Sequence, residues 1–595
     1  MVGGLLVQRR TNQSLLKKGK KTYYKSFLLS CLLFPSLEGL GVGYAFCLLP
    51  PASAQIIPDA TLGFEGSHII ESVDIQGSLG ERIEGGALRG ANLFHSFLEF
   101  NVLDGQRVYF ANPAGIENIL SRVTGNHGSD ILGTLGVLGN ANLFLVNPNG
   151  IVFGPNAQLD VRGSLVASTE NGFNLSDGSS FSATNPEAPP LLAINVTPGI
   201  QWGNSEPQAE IVNQGHLAVG QDLNLVGSRL TLSGQLQAGR DLTLLATDTV
   251  QIRDSTNHPF IAEADGELLV QGNQAVDIFA LNHPDSGLFS GEDLVLRSAN
   301  SIIGDAHYWS GGTFQIEQLD SNPGSWLSPN DPVIRANGDV SFDSYVGASL
   351  HIFAGGSVEV AGNIRITGAD ATNGIQETVT LSDGTTVEID GRNEPTLDIR
   401  AGMKAVGIPG LTGNPTPINL DSTNTPNRAD ITINGFIINQ GGLVFLTNQY
   451  QPNPDLQGNI TAKQISTANF NVGGNSGNIY LDSKGMVDVL GGNNQGSFAL
   501  GTFANQNGNT GNAGSITVLA KENISIASEL TKPEQTGINA SVFTNIANTT
   551  AGDSGSVQLT SSKGNITVNG GIFTNSTANN GSISGDTGDI TLKAL

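Results

Sequence analysis

From Gly220 the chain reads GQDLNLVGSRLTLSGQLQA, and nineteen residues later, from Gly239, it reads GRDLTLLATDTVQIRD. Overlaying the two glycines puts Leu223 on Leu242 and Leu225 on Leu244, with polar Asn224 and Thr243 between them. After a further one-residue slip, which a turn can absorb, Leu230 and Leu232 meet Val250 and Ile252. Side chains alternate between the two faces of a strand, so the overlay gathers the aliphatic residues on one face and the polar ones on the other. A short strand recurring at a fixed interval behind a glycine-led turn implies stacked coils that bury an aliphatic stripe. Related starts occur at Gly266-Glu267-Leu268, Gly291-Glu292-Asp293-Leu294, Gly338-Asp339-Val340 and Gly356-Ser357-Val358.

The last quarter repeats with a longer unit. Ser476-Gly477-Asn478-Ile479-Tyr480-Leu481 returns as Ala513-Gly514-Ser515-Ile516-Thr517-Val518, as Ser554-Gly555-Ser556-Val557-Gln558-Leu559 and as Thr587-Gly588-Asp589-Ile590-Thr591-Leu592. Its glycines stand 37, 41 and 33 residues apart, which reads as about two coils per repeat. The expected fold is all-β, a parallel β-helix with loops outside the helix. A β-propeller also repeats at about 40–45 residues, but its blades usually carry aromatic signatures, and only 6% of this chain is aromatic. At about 20 residues per coil, the chain beyond position 54 is expected to wind roughly 25 coils. The proline-bearing stretches 174–192 and 409–427 are expected to loop out. The chain stops at Leu595 partway into another repeat, which reads as a truncated end or one that pairs with something else.

Charge divides the chain. Residues 1–54 carry Arg9, Arg10, Lys17, Lys18, Lys20, Lys21 and Lys25 against one acid, Glu38. Removing them from the totals of 28 bases and 53 acids leaves 21 and 52, a net charge of −31 for the remainder. That charge repels phosphate backbones and anionic membrane surfaces, so nucleic acid is not an expected partner. In residues 1–54, bases precede apolar runs at 27–34 and 39–49, and Ala52-Ser53-Ala54 precedes Gln55. This is the pattern of an export signal handled by the general secretory machinery and cleaved between Ala54 and Gln55. Neither run reaches the ~20 apolar residues of a spanning helix. Both cysteines, Cys31 and Cys47, fall inside this signal, so no disulfide is expected after cleavage.

Three segments carry a family resemblance: ANLFHSF at 91–97, NILSRVTG at 118–125 and ANLFLVNPNGIVFG at 141–154. Their order and spacing closely resemble the filamentous haemagglutinin N-terminal domain, the secretion domain of two-partner-secretion exoproteins, and especially its cyanobacterial branch. Weaker similarity extends to 332–354 and 377–401. The resemblance implies a right-handed β-helix and export through the periplasm to a dedicated outer-membrane β-barrel transporter. It also implies a secreted or surface-exposed protein, commonly an adhesin. Asn147, Pro148, Asn149, Gly150 and Ile151 match the family's Asn-Pro-Asn-Gly-Ile secretion motif. Its second motif, Asn-Pro-Asn-Leu, is represented only by Asn112 and Pro113, followed by Ala114 and Gly115. The expected organisation is a signal at 1–54, a secretion domain at 55–200, a β-helix with loop insertions at 201–435, and Asn/Gly-rich coils at 436–595.

Read from its residues alone, 147–150 is a tight turn: proline fixes φ, and asparagine and glycine tolerate positive φ. Both roles, shaping the domain and contacting a partner, remain open at this stage. Enzyme signals are poor. Gly552-Asp553-Ser554-Gly555 looks like a serine-protease segment but is one copy of the C-terminal repeat. The eight histidines show no metal-site spacing, the turns do not match the calcium-binding nonapeptide, and no cofactor is expected. His307, Tyr308 and Trp309, with Asp305, read as either a carbohydrate contact or packing. The alternative function is a β-helical polysaccharide lyase or hydrolase, which would need carboxylates clustered on one face.

Overall fold

The computed structural model describes residues 56–176, 178–189, 198–200, 209–330, 332–407, 425–491, 498–506, 510–527 and 536–595. The expected signal, with Ala54 and Gln55, lies outside the described residues, as does most of the stretch 409–427. Residues 55–595 form one compact unit.

From Asn92 onward the chain winds as a parallel β-helix with three stacks of strands. The first stack opens with Asn92–Phe100, Asn118–Val123 and Asn142–Val146. It runs through fifteen successive parallel pairings to Ile566–Val568. Each of its strands begins a coil, so there are sixteen coils among the described residues, fewer than the roughly 25 expected. The difference lies partly in residues that leave the helix and partly in coils longer than 20 residues, since the first-stack strands at Asn92, Asn118 and Asn142 begin 26 and 24 residues apart. Coil 4 closes only when Leu165–Ser168 is followed by Glu210–Asn213. The intervening excursion carries an antiparallel sheet of Gly172–Leu175, Ser180–Ser182 and Pro198–Ile200. Position 435/436 falls inside the strand Ile431–Asn439, at a slip between Ile433 and Phe436.

The leucine overlay is reproduced residue for residue. Leu223 pairs with Leu242, Leu225 with Leu244, Leu230 with Val250 and Leu232 with Ile252. The slip sits between Gly227 and Arg229, inside a strand, so a bulge rather than a turn absorbs it. The inward residues merge into a single apolar column from Ile56 to Leu559. The C-terminal repeat corrects the sequence reading. Ile479 pairs directly with Ile516, Ile516 with Val557 and Val557 with Ile590, so each repeat is one coil, not two. The extra length goes into wider coils. Asn/Gly-rich connections add a further parallel sheet of Ala504–Gln506, Val542–Thr544 and Ser576–Ala578.

Side-chain ladders stitch the corners. Asn118 donates to Asn92, Asn142 donates to Asn118, and the Ser164 amide donates to Asn142. In later coils the residue just before the first-stack strand takes over. Asp241 accepts from the Glu267 amide, Asp293 from Thr313, Asp339 from Ser357, Asp430 from Asn459 and Asn459 from Met486. Part of the negative charge therefore consists of acceptors for backbone amides that would otherwise go unpaired at a corner. Glu267 feels the cost: burial, then Asp241, Asp293 and Glu292, raise its pKa.

The N-terminal end is closed by antiparallel pieces. Ile56–Pro58 pairs with Phe97 to Phe100, and the hairpin of Ser67–Ile75 and Ser78–Gly85 lies beside Arg107–Ala111. In coil 1, His95 points inward against Phe97 and Phe110, fully buried, with Nδ1 3.0 Å from Ser67 Oγ. Burial lowers its pKa to about 3. The unfolded chain, with an ordinary histidine near 6.5, binds the extra proton first. Stability is therefore full above pH 6.5 and falls as the pH drops towards 3, by at most about 1.4 kcal/mol per pH unit. Urea midpoints between pH 7.5 and 4.5 should show a shallower decline in His95→Leu than in the wild type.

Candidate secretion motif

Asn147–Ile151 occupies the corner where coil 3 passes from the first stack to the second, between strands Asn142–Val146 and Ile151–Phe153. The Gly150 amide donates to the Asn147 carbonyl at 3.1 Å, closing a β-turn. Pro148 supplies the fixed φ at its second position. Positive φ is needed only at Gly150, at 115°. A Cβ there would also stand 3.1 Å from the Glu210 carbonyl of coil 4.

Asn147 is fully buried. Its Nδ2 donates to the His127 carbonyl and to Ser129 Oγ, both at 3.0 Å. Its Oδ1 accepts from the Asn149 amide at 3.0 Å and from Asn149 Nδ2 at 3.1 Å. Its own amide donates to Ser168 of coil 4. The motif thus joins coils 2, 3 and 4, and Pro148, Gly150 and Ile151 are buried with it. Asn149 alone of the five is exposed, with Nδ2 reaching the Gly125 carbonyl. Beside it are exposed His127, which pairs with Glu99 at 2.6 Å, and half-exposed Leu98.

Asn112 and Pro113 lie at a different corner, between the third stack of coil 1 and the first stack of coil 2. Asn112 is half-buried and Pro113 exposed. With its oxygen facing the Asn140 and Ala141 amides, Asn112 bridges to the next corner at 3.2 and 3.1 Å. Gly139 lacks a side chain there because a Cβ would sit 2.2 Å from the Asn112 amide. The two motifs are therefore separate stitches.

A polar knot in the same region was not singled out from the sequence. Asp59 accepts from Thr61 and Thr124 at 2.6 Å and from Ser96 at 2.7 Å. Fully buried Arg122 donates to Ser96, Thr61 and the Ser182 carbonyl, with its guanidinium 4.1 Å over the Phe181 ring. Burial lowers the Arg122 pKa to about 10, with Asp59 opposing. Burial pushes Asp59 upward, but hydrogen bonds from Thr124, Thr61 and Ser96 outweigh it and leave the pKa lowered. Arg89 adds a bidentate pair with Glu65 at 2.7 and 2.9 Å and reaches the Pro189 carbonyl. These arginines pin the N-terminal cap and the coil 4 excursion to the helix. Arg122 stands inside the segment 118–125, yet one arginine in a strand does not announce a partner 63 positions earlier.

The remaining candidates are structural. Asp553 Oδ1 accepts from the Asp586 amide, and Ser554 Oγ donates to the Thr574 carbonyl, so that segment is a ladder corner. Tyr308 points into the core, and buried Trp309 donates to the Gly407 carbonyl at 3.2 Å. Asp305 is buried and accepts from Ser328 and Asn330. Packing thus accounts for the 305–309 cluster. Among the described residues no group of three His, Cys, Asp or Glu is placed to hold a metal ion.

The chain matches the TPS secretion domain family over residues 54–316. No curated protein matches it. Among solved structures it is similar to the filamentous hemagglutinin secretion domain, at 15% identity over 53% of this chain and 97% of that one, with a TM-score of 0.26. It is also similar to the HMW1 secretion domain from Haemophilus influenzae, at 14% identity over 80% of this chain and 98% of that one, with a TM-score of 0.24. Residues 54–316 thus match the TPS secretion domain, which indicates a two-partner-secretion exoprotein.

Proposed function

We propose that this protein leaves the periplasm through a dedicated outer-membrane β-barrel transporter and then acts outside the cell as an adhesin or interaction rod. The family match over the capped N-terminal coils carries the reading. The general secretory machinery delivers the chain to the periplasm, and cleavage between Ala54 and Gln55 removes the basic signal. Intact-mass measurement of protein from the medium should give a chain beginning at Gln55. A mature protein retaining Lys17 or Cys47 would speak for an anchored form instead.

At the motif corner the groups offered to a transporter are Asn149, His127 with Glu99, and Leu98, while Asn147 and Gly150 hold them in place. Asn147→Ala removes the donor to the His127 carbonyl and Ser129 Oγ and the acceptor of the Asn149 amide, a loss of about 2–3 kcal/mol. Asn149→Ala should leave the urea midpoint nearly unchanged. If the corner is read by the transporter, Asn149→Ala combined with His127→Ala lowers the amount in the medium of cells expressing the transporter, and the protein accumulates in the periplasm. Undiminished secretion of a normally folded double variant would remove the recognition role. Retention of the secreted protein on a panel of neutral and charged polysaccharides tests the adhesive role, and cleavage of any of them would point to an enzyme.

A further inference from the structure

Solenoid coils contact their neighbours, so stability passes from one coil to the next. The antiparallel hairpin of Gln376–Thr380 and Thr386–Asp390 breaks this rule. It leaves coil 11 between Ile364–Gly368 and Thr396–Arg400 and lies over the outer face of the third stack. Val379, Leu381, Val387 and Ile389 are buried there with Leu443 and Phe445 of coil 12 and Leu519 of coil 14, alongside Tyr450 and Tyr480. At the tip, the Ser382 amide and Oγ donate to the two carboxylate oxygens of Asp482 in coil 13, at 2.8 and 2.6 Å. Gln558 of coil 15 donates to Asp383 at 3.2 Å. At the base, Glu377 accepts from Arg400 at 2.9 Å and from Tyr450 at 2.5 Å. Arg400 is itself buried against Asp398, which also contacts His351.

One hairpin therefore spans coils 11 to 15, and every coil that receives it lies later in the chain. Leu519 is 130 positions beyond Ile389. Until that surface exists, four aliphatic side chains of the hairpin have nothing to cover them. We propose that the hairpin is a delayed clasp: it docks only after coils 12 to 14 have stacked, and once docked it makes coils 11 to 15 open as one unit.

Hydrogen exchange on the chain 55–595 tests the coupling. Leu381→Ser with Val387→Ser, and more mildly Ser382→Ala, should speed exchange in Ile516–Ala520, three coils from the hairpin's root, by about tenfold and about threefold respectively. Ile366→Ala, a core deletion in the same coil that leaves the clasp surface intact, is the control and should affect Ile516–Ala520 much less. Equal effects of control and clasp variants, or unchanged exchange at Ile516–Ala520 in both clasp variants, would overturn the coupling. The order is read with single thiols, since residues 55–595 contain no cysteine. During refolding, a thiol at Leu381→Cys should become protected from a thiol reagent no earlier than one at inward-facing Val518→Cys. Earlier protection at 381 would overturn the delay.

Discussion

Leu242→Asp is expected to lower the free energy of unfolding by about 4 kcal/mol, while Thr243→Asp one residue away should cost less than about 1 kcal/mol. Leu242 is fully buried and stacked between Leu223 and Leu268. A carboxylate there has no donor within the column and faces aliphatic neighbours above and below. Relief would require protonation or an opening of the coil, and both cost free energy at neutral pH. Thr243 stands between Asn224 and Leu269 on the outer face, only half-buried, so a carboxylate can reach water. Urea titration followed by circular dichroism distinguishes the two. Equal losses would mean that the inward and outward registers are wrongly assigned, because a one-residue shift exchanges the faces.

Asp59→Ala should cost about 3 kcal/mol, because it takes the counter-charge from Arg122 and removes the carboxylate that accepts from the Thr61, Ser96 and Thr124 hydroxyls. Arg122 has no route to water, and its other partners are the neutral Ser96, Thr61 and Ser182 carbonyl. The double variant Asp59→Ala, Arg122→Met should recover part of the loss, since no unpaired charge then remains in the core. The pH dependence gives a second readout. The Asp59 pKa lies below its ordinary value in the folded protein. Its contribution is therefore present above the unfolded value near 4 and is lost as the pH falls through the lower folded value. Asp59→Ala should remove that acid-side loss, and the wild-type and variant urea midpoints should converge as the pH falls below 4.

Period two, interrupted by glycine and Asx corners, was legible because a stacked strand exposes its pattern directly: what points inward must be aliphatic in every coil. The pairing of Leu223 with Leu242 followed from identity at matching positions. The wide C-terminal coils were misread as pairs because a spacing of 37 residues does not say whether the intervening chain adds a second coil or a broader one. The placement of Asn147 deep in the corner, with Asn149 outside, was equally hidden. Both are asparagines in one turn, and only the coils above and below decide which amide is covered.

The sequence by itself determined the all-β class, the inward stripe, the acidic body and the motif-bearing segments 91–97, 118–125 and 141–154. Each depends on near neighbours in the chain or on the same position one coil later. The tertiary structure decided the contacts that cross the chain without a period. Arg122 meets Asp59 through the Ser96 and Thr61 hydroxyls, Trp309 is sealed by the Gly407 carbonyl, and Ser382 grips Asp482 a hundred positions away. Their physical cause is the outer face of the sheet. It bears no repeating demand for aliphatic residues, so what covers it is fixed by where an excursion happens to fold back, and a single sequence carries no periodic record of that.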